Sequence, residues 1–106
     1  MIDEQTIQHV VRTIVERMSP RRIILFGSYA RGKAEPDSDL DLFVELDASL
    51  PGRGRAMRIK QLFDTYPCSM DIVVYTPQEV AYWRQAAASL VASVLREGRV
   101  LYERGD

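Results

Sequence analysis

Apolar residues open the chain at helical spacing: Ile7, Val10, Val11, Ile14, Val15 and Met18 fall on one stripe. The stripe predicts a helix ending near Met18, because Pro20 disfavours helical backbone at the residue before it. Asp3 stands where an N-cap belongs, with Ile2 and Ile7 as a hydrophobic staple across it. The period then changes. Arg22 to Phe26 predicts a strand that is apolar on both faces and therefore central in its sheet. A short helical turn follows at Tyr29 to Gly32. Lys33 to Ser38 is a polar loop, with turn chemistry in Glu35-Pro36-Asp37-Ser38, and Asp37 is expected to serve that turn. Leu40 to Leu46 alternates: Leu40, Leu42 and Val44 face a core, while Asp39, Asp41 and Phe43 face the other way.

The second half continues in the same manner. Asp47 to Gly54 reads as a loop around Pro51. Ala56, Ile59, Leu62, Phe63 and Tyr66 form a helical stripe that Pro67 ends. Ser69 to Tyr75 predicts a third strand, with Met70, Ile72 and Val74 on one face and Asp71, Val73 and Tyr75 on the other. Thr76, Pro77 and Glu79 combine a cap, a proline at the first helical position and a capping box. From there Val80, Trp83, Ala87, Leu90, Val91, Val94 and Leu95 carry a helix to Gly98, a candidate C′ residue. Ala86-Ala87-Ala88-Ser89 allows either close helix packing or a break near Ser89. Arg99 to Tyr102 predicts a last strand. This order predicts one α/β (α+β) domain over residues 1–106, a mixed sheet with helices packed on one face.

Composition narrows the picture. At 106 residues the chain has room for one core. Its 46% apolar and 27% charged residues are those of an ordinary soluble globular protein. A net charge of −1 argues against binding long nucleic acid, which calls for a basic surface. No apolar run approaches the ~20 residues of a membrane span, and no secretory signal opens the chain, so a cytoplasmic location is expected. The one cysteine, Cys68, excludes an intrachain disulfide and reads as a plain loop or strand-edge residue. His9, the one histidine, lies off the first stripe and reads as a surface residue. Arg53, Arg55, Arg58 and Lys60 make the most basic stretch. Their neighbours' apolar stripe favours a solvated helix face, with Arg53 and Arg55 left as candidate phosphate contacts near or before the helix start.

The chemistry concentrates where the first strand ends. Asp39 and Asp41 are two apart, and on a strand such residues share a face ~6.6 Å apart along it. Carboxylates at that spacing can converge on hard cations, and magnesium is usually held by one or two carboxylates plus substrate phosphates. The phosphates are expected on the turn Gly27-Ser28-Tyr29-Ala30-Arg31-Gly32. Gly27 and Gly32 permit close backbone approach. Ser28 adds a hydroxyl donor, and Arg31 and Lys33 add positive charge. An anion cradle beside a carboxylate pair suits a magnesium–nucleotide complex.

Gly27-Ser28, ten intervening residues and Asp39-Leu40-Asp41 resemble the signature of the DNA polymerase β-like nucleotidyltransferases. The longer string, Leu25 to Gly32 with Ser38-Asp39-Leu40-Asp41-Leu42, is similar to the small MNT (minimal nucleotidyltransferase) group, antitoxins of HEPN/MNT toxin–antitoxin pairs. The resemblance implies a polymerase β-like palm with its carboxylates on an open face and helices behind. It implies a third carboxylate on a neighbouring strand, and Asp71 is the one acid on the predicted strands that follow the one carrying Asp41. It implies Asp39, Asp41 and Asp71 as catalytic ligands of one or two magnesium ions, and Gly27 and Ser28 at the β/γ-phosphates. The reaction implied is AMP transfer from ATP to a protein hydroxyl, a tyrosine of a HEPN-type toxin held in a hetero-oligomer. Two other readings stay open: a non-enzymatic antitoxin that covers its partner, and the nucleotide-binding half of a split small-molecule transferase.

Overall fold

The first helix, α1 (Glu4–Met18), starts as its cap dictates, with the Asp3 carboxylate accepting from the Thr6 N–H at 2.8 Å. Its stripe buries Ile7, Val10 and Ile14. In this computed structural model residues 1–47 and 52–105 are described, the side chains of Gly52 and Arg53 excepted. The chain continues as β1 (Arg22–Phe26), α2 (Gly27–Ala30), β2 (Leu40–Glu45), α3 (Gly52–Lys60), β3 (Met70–Tyr75), α4 (Pro77–Trp83), α5 (Leu90–Glu97) and β4 (Arg99–Glu103). The sheet order is β3-β2-β1-β4. β1 runs antiparallel to both its neighbours, and β2 and β3 are parallel, so the sheet is mixed, as expected. Among the described residues no helix is long and apolar enough to cross a membrane.

Alternation divides the sheet between two cores. Ile23, Leu25, Leu40, Leu42, Val44, Ile72 and Val74 pack with the α1 stripe, Ile59 of α3 and Phe63. On the opposite face Ile24 and Phe43 pack with Val80 of α4 and with Val91 and Val94 of α5. The second cluster corrects the expectation of helices on one face only. Ile24 and Phe43 are large apolar groups on the strands' other side, and each such side chain gains roughly 1.5–3 kcal/mol by leaving water. They draw α4 and α5 over part of the face that carries Asp41 and Asp71.

Two helices differ from their stripes. α3 stops at Lys60, not at Pro67. Leu62 N–H bonds to Ile59 O and Phe63 N–H to Lys60 O, a tighter i−3 pattern that turns Phe63 into the core and leaves Tyr66 57% exposed. α3 also begins earlier than the predicted loop end, at Gly52, so Arg53 and Arg55 lie within it, while residues 48–51 of that loop lie outside the description. The helix predicted from Pro77 to Gly98 breaks before Ser89, the second of its two allowed outcomes. The Ser89 hydroxyl donates to Trp83 O and accepts from the Ala92 N–H, closing α4 and opening α5 with one side chain. Trp83, Ala87 and Leu90, predicted on the buried stripe, are therefore exposed. Gly98 follows α5 with φ −76°, outside the left-handed region of a C′ glycine. Its role is close approach: a Cβ there would lie 2.5 Å from Ile24 Cγ2 and 2.6 Å from Val94 O.

The capping box at α4 forms as predicted, Glu79 accepting from the Thr76 N–H and Thr76 from the Glu79 N–H. Glu79 also accepts from Arg55 Nη1 at 2.6 Å. Arg55 is thus tied down and is not a mobile phosphate contact. The Thr76 N–H, helped by Arg55 and against some burial, lowers the Glu79 pKa from the usual carboxylate value. A depressed acid stabilises the fold above its unfolded pKa, and that contribution fades as pH falls through the folded pKa. Glu79→Ala should destabilise the chain by about 0.5–2 kcal/mol at neutral pH, the range for a lost cap. Urea unfolding at neutral and acid pH checks this, and equal losses at both would contradict the ionic contribution.

Candidate active site

Strand register assembles one row of side chains across three strands. Phe26 of β1 pairs with Asp41 of β2, and Asp41 pairs with Asp71 of β3. Directly paired residues share a sheet face. The next row is Ile24, Phe43 and Val73, part of the smaller core. The two carboxylates therefore stand side by side just beyond the apolar floor that α4 and α5 cover. Asp39 joins them from the residue before β2. Its carboxylate accepts from the Ser69 hydroxyl, while the Leu40 N–H donates to Ser69 O, so the loop entering β3 fixes the entry to β2.

The turn of the sequence pattern lies against this row. α2 begins at Gly27, two residues earlier than predicted, and covers Gly27–Ala30. Gly27 has φ +72°, and a Cβ built on it would fall 2.1 Å from Asp41 Oδ2. The Asp41 carboxylate thus rests directly on the glycine backbone. The turn is held from behind as well. Tyr29 and Ala30 pack on the larger core, and the Tyr29 hydroxyl accepts from the Ile2 N–H at 2.9 Å. The Arg31 N–H closes on Gly27 O and the Lys33 N–H on Ser28 O. As the opening turn of a helix, it leaves its leading N–H groups without intrahelical acceptors.

Electrostatics identify Asp41 as the centre of the group. Partial burial raises its pKa first, then the negative charges of Asp71 and Asp39, with Arg31 opposing. Those causes place Asp39, Asp71 and Arg31 near enough to bear on the charge of Asp41. Ser28 is half-buried in the turn beside Gly27. Lys33 is exposed beyond the turn, and its backbone N–H bonds to Ser28 O. Asp71 is exposed. Its claim to the site rests on its register with Asp41. Ser69 is the residue that sequence reasoning overlooked. A hydroxyl at a strand start gives no local sign, and its position emerges only once β2 and β3 pair in parallel.

The donor set is hard oxygen throughout, which fits a divalent cation such as magnesium. Among the described residues no three His, Cys, Asp or Glu side chains form a ready metal cage. A cation held here would therefore take further ligands from water and from substrate phosphates, the usual habit of magnesium. His9 is exposed, with its ring edge-on to Phe63, and takes no part. Cys68 is half-buried against the larger core, and burial pushes its thiol pKa up, away from reactivity.

Compared with known families, residues 8–106 match the family model described as Polymerase beta, Nucleotidyltransferase. No curated protein matches the sequence significantly.

Proposed function

The chain belongs to the Polymerase beta nucleotidyltransferase family, and from that premise we propose that it uses magnesium to move AMP from ATP to a tyrosine hydroxyl of a partner protein. The partner in this proposal is a cognate HEPN-type toxin, and the chain is the MNT antitoxin that silences it within a hetero-oligomer. The observation that carries the reading is the row of Asp41 and Asp71, with Asp39 alongside, set against the Gly27 turn.

Asp39, Asp41 and Asp71 would hold the cation. Bound magnesium supplies positive charge against the phosphoryl oxygens and the departing pyrophosphate. Gly27 and Ser28 take the β/γ-phosphates, with Arg31 and Lys33 adding positive charge. Asp71 accepts the proton of the attacking hydroxyl, whose oxygen bonds to the α-phosphorus as the bond to pyrophosphate breaks. Asp39 and Asp71 are both exposed, which leaves the acceptor side open to a group presented by another protein.

Catalysis needs only transient docking, so substoichiometric chain with magnesium–ATP should inactivate an excess of toxin. Intact-mass spectrometry of the toxin should show a gain of one or more AMP units that Asp39→Asn abolishes. Neutralisation at about one copy per toxin, with no mass gain and no response to Asp39→Asn, would replace transfer with simple covering of the partner.

A further inference from the structure

A concavity adjoins the site. Between the Gly27–Arg31 turn and the face of α5 lies a cleft of about 250 Å³. Phe26, Leu90 and Val94 give it apolar walls, and Arg31, Ser93 and Glu97 give it polar ones. Gly27 borders both this cleft and the Asp41 carboxylate, so the two are neighbours across one glycine. Leu90, Ser93, Val94 and Glu97 follow the i, i+3, i+4, i+7 spacing of a single helix face. Leu90 is 40% exposed, a large apolar group left in water.

We propose that this cleft receives the nucleoside end of the donor nucleotide while its phosphates remain on the Gly27–Asp41 side. The inference rests on the nucleotidyl-transfer reading above. A cleft of this volume is smaller than the ~300–1,000 Å³ of pockets that enclose a whole ligand, and so suits one part of a larger one. Apolar walls offer phosphate oxygens no donors, whereas a flat heterocycle gains by leaving water between an aromatic ring and aliphatic side chains. Arg31 stands on the turn side of the polar edge, towards Asp41, whereas the α5 side has the opposite sense. The Glu97 carboxylate already accepts from the Ser93 hydroxyl at 3.0 Å and has further lone pairs to offer. Being an acceptor, it selects a ligand that donates, which a ribose diol or an exocyclic amine of the base does and a phosphate does not. Leu90, Ser93 and Glu97 therefore become specificity-determining residues that lie outside the sequence pattern of the turn and the carboxylates.

The test compares ATP with inorganic tripolyphosphate, which keeps the phosphates and lacks the nucleoside. Both are titrated into the full chain by calorimetry with magnesium present. Ser93→Phe and Leu90→Trp fill the cleft from the α5 surface, and circular dichroism confirms that each variant is folded. Each should weaken ATP binding by about tenfold or more while leaving tripolyphosphate within about twofold. Unchanged ATP affinity in both folded variants, or equal losses for both ligands, would overturn the placement. Glu97→Gln then locates the donor group. Diminished discrimination against 2′-deoxy-ATP assigns the ribose, and against inosine triphosphate the amine. No change with either removes Glu97 from the proposal. An unaltered chain that binds tripolyphosphate as tightly as ATP would overturn the cleft and leave the transfer reaction standing, and one that binds neither would overturn both.

Discussion

Gly27→Ala is expected to cost at least ~10²-fold in nucleotidyl transfer, the scale of misplacing a reacting group by about an ångström. Two effects combine at this position. The backbone is left-handed, at φ +72°, which disfavours any side chain by roughly 1–2 kcal/mol. The added Cβ would also meet Asp41 Oδ2 at 2.1 Å, so the central carboxylate must move. Gly32 is the internal control. It has a similar φ of +69°, but nothing lies within 4 Å of its Cβ position. Gly32→Ala should therefore carry the backbone strain and spare the site. Calorimetry with magnesium–ATP, beside thermal melts of both variants, separates the two effects. Equal affinities for Gly27→Ala and Gly32→Ala would show that the contact between Gly27 and Asp41 does not position the carboxylate.

Asp41→Asn should raise stability and abolish function. Burial and the charges of Asp71 and Asp39 push the Asp41 pKa up, so the folded state resists its ionisation. Across the window from the ordinary carboxylate value up to the raised one, the folded chain binds more protons than the unfolded chain. Stability therefore falls as pH rises through that window and stays lower above it. Asparagine removes both the charge and this slope. In the absence of divalent cation the variant should melt above the parent at neutral pH and converge with it in acid. Adding magnesium should raise the melting temperature of the parent and leave that of Asp41→Asn nearly unchanged. Transfer should drop by ~10²-fold or more, the scale set by losing one preorganised electrostatic group. A variant that melts below the parent without cation would show that the repulsion at Asp41 is not a cost to the fold.

The parts of this architecture that were legible in the sequence are those decided by neighbours along the chain. The Asp3 cap, the unbroken apolar run of β1 and the capping box at Thr76 each involve residues a few positions apart, and each formed where the pattern put it. Asp39 and Asp41 were visible as a pair for the same reason. What depends on distant partners was harder to read. No local feature says that β2 and β3 run parallel in the register that sets Asp71 beside Asp41, or that Ser69 then reaches Asp39. The stripe from Ala56 to Tyr66 kept helical period, yet the chain tightens after Lys60 because Phe63 finds the core from there. Arg55 looked like a spare cation until Glu79, 24 residues on, came to face it. The second core was hidden in alternation itself. Phe43 shares a face with Asp41, and the acids on that face give it an open look, although its remaining positions are apolar enough to need cover.

The position of Asp71 bears on a separate matter, the behaviour of this chain at high concentration. β3 is the outermost strand at its end of the sheet, and between Met70 and Tyr75 it holds only Asp71 as a charged residue. An outer strand of apolar residues is a template on which a second chain can add, and an exposed charge on it is a common deterrent. The opposite outer strand has its own deterrents, a register irregularity against Ile23 and Ile24 and the charged residues Arg99 and Glu103 at its two ends. Within β3 that charge is the Asp71 carboxylate alone, with Arg55 and Glu79 lining the concavity beside Ile72 to Tyr75, so the side chain proposed to accept the proton is expected to bear on solubility as well. Variants that neutralise it should be handled dilute, because lost turnover and slow self-association would otherwise look alike in an activity assay.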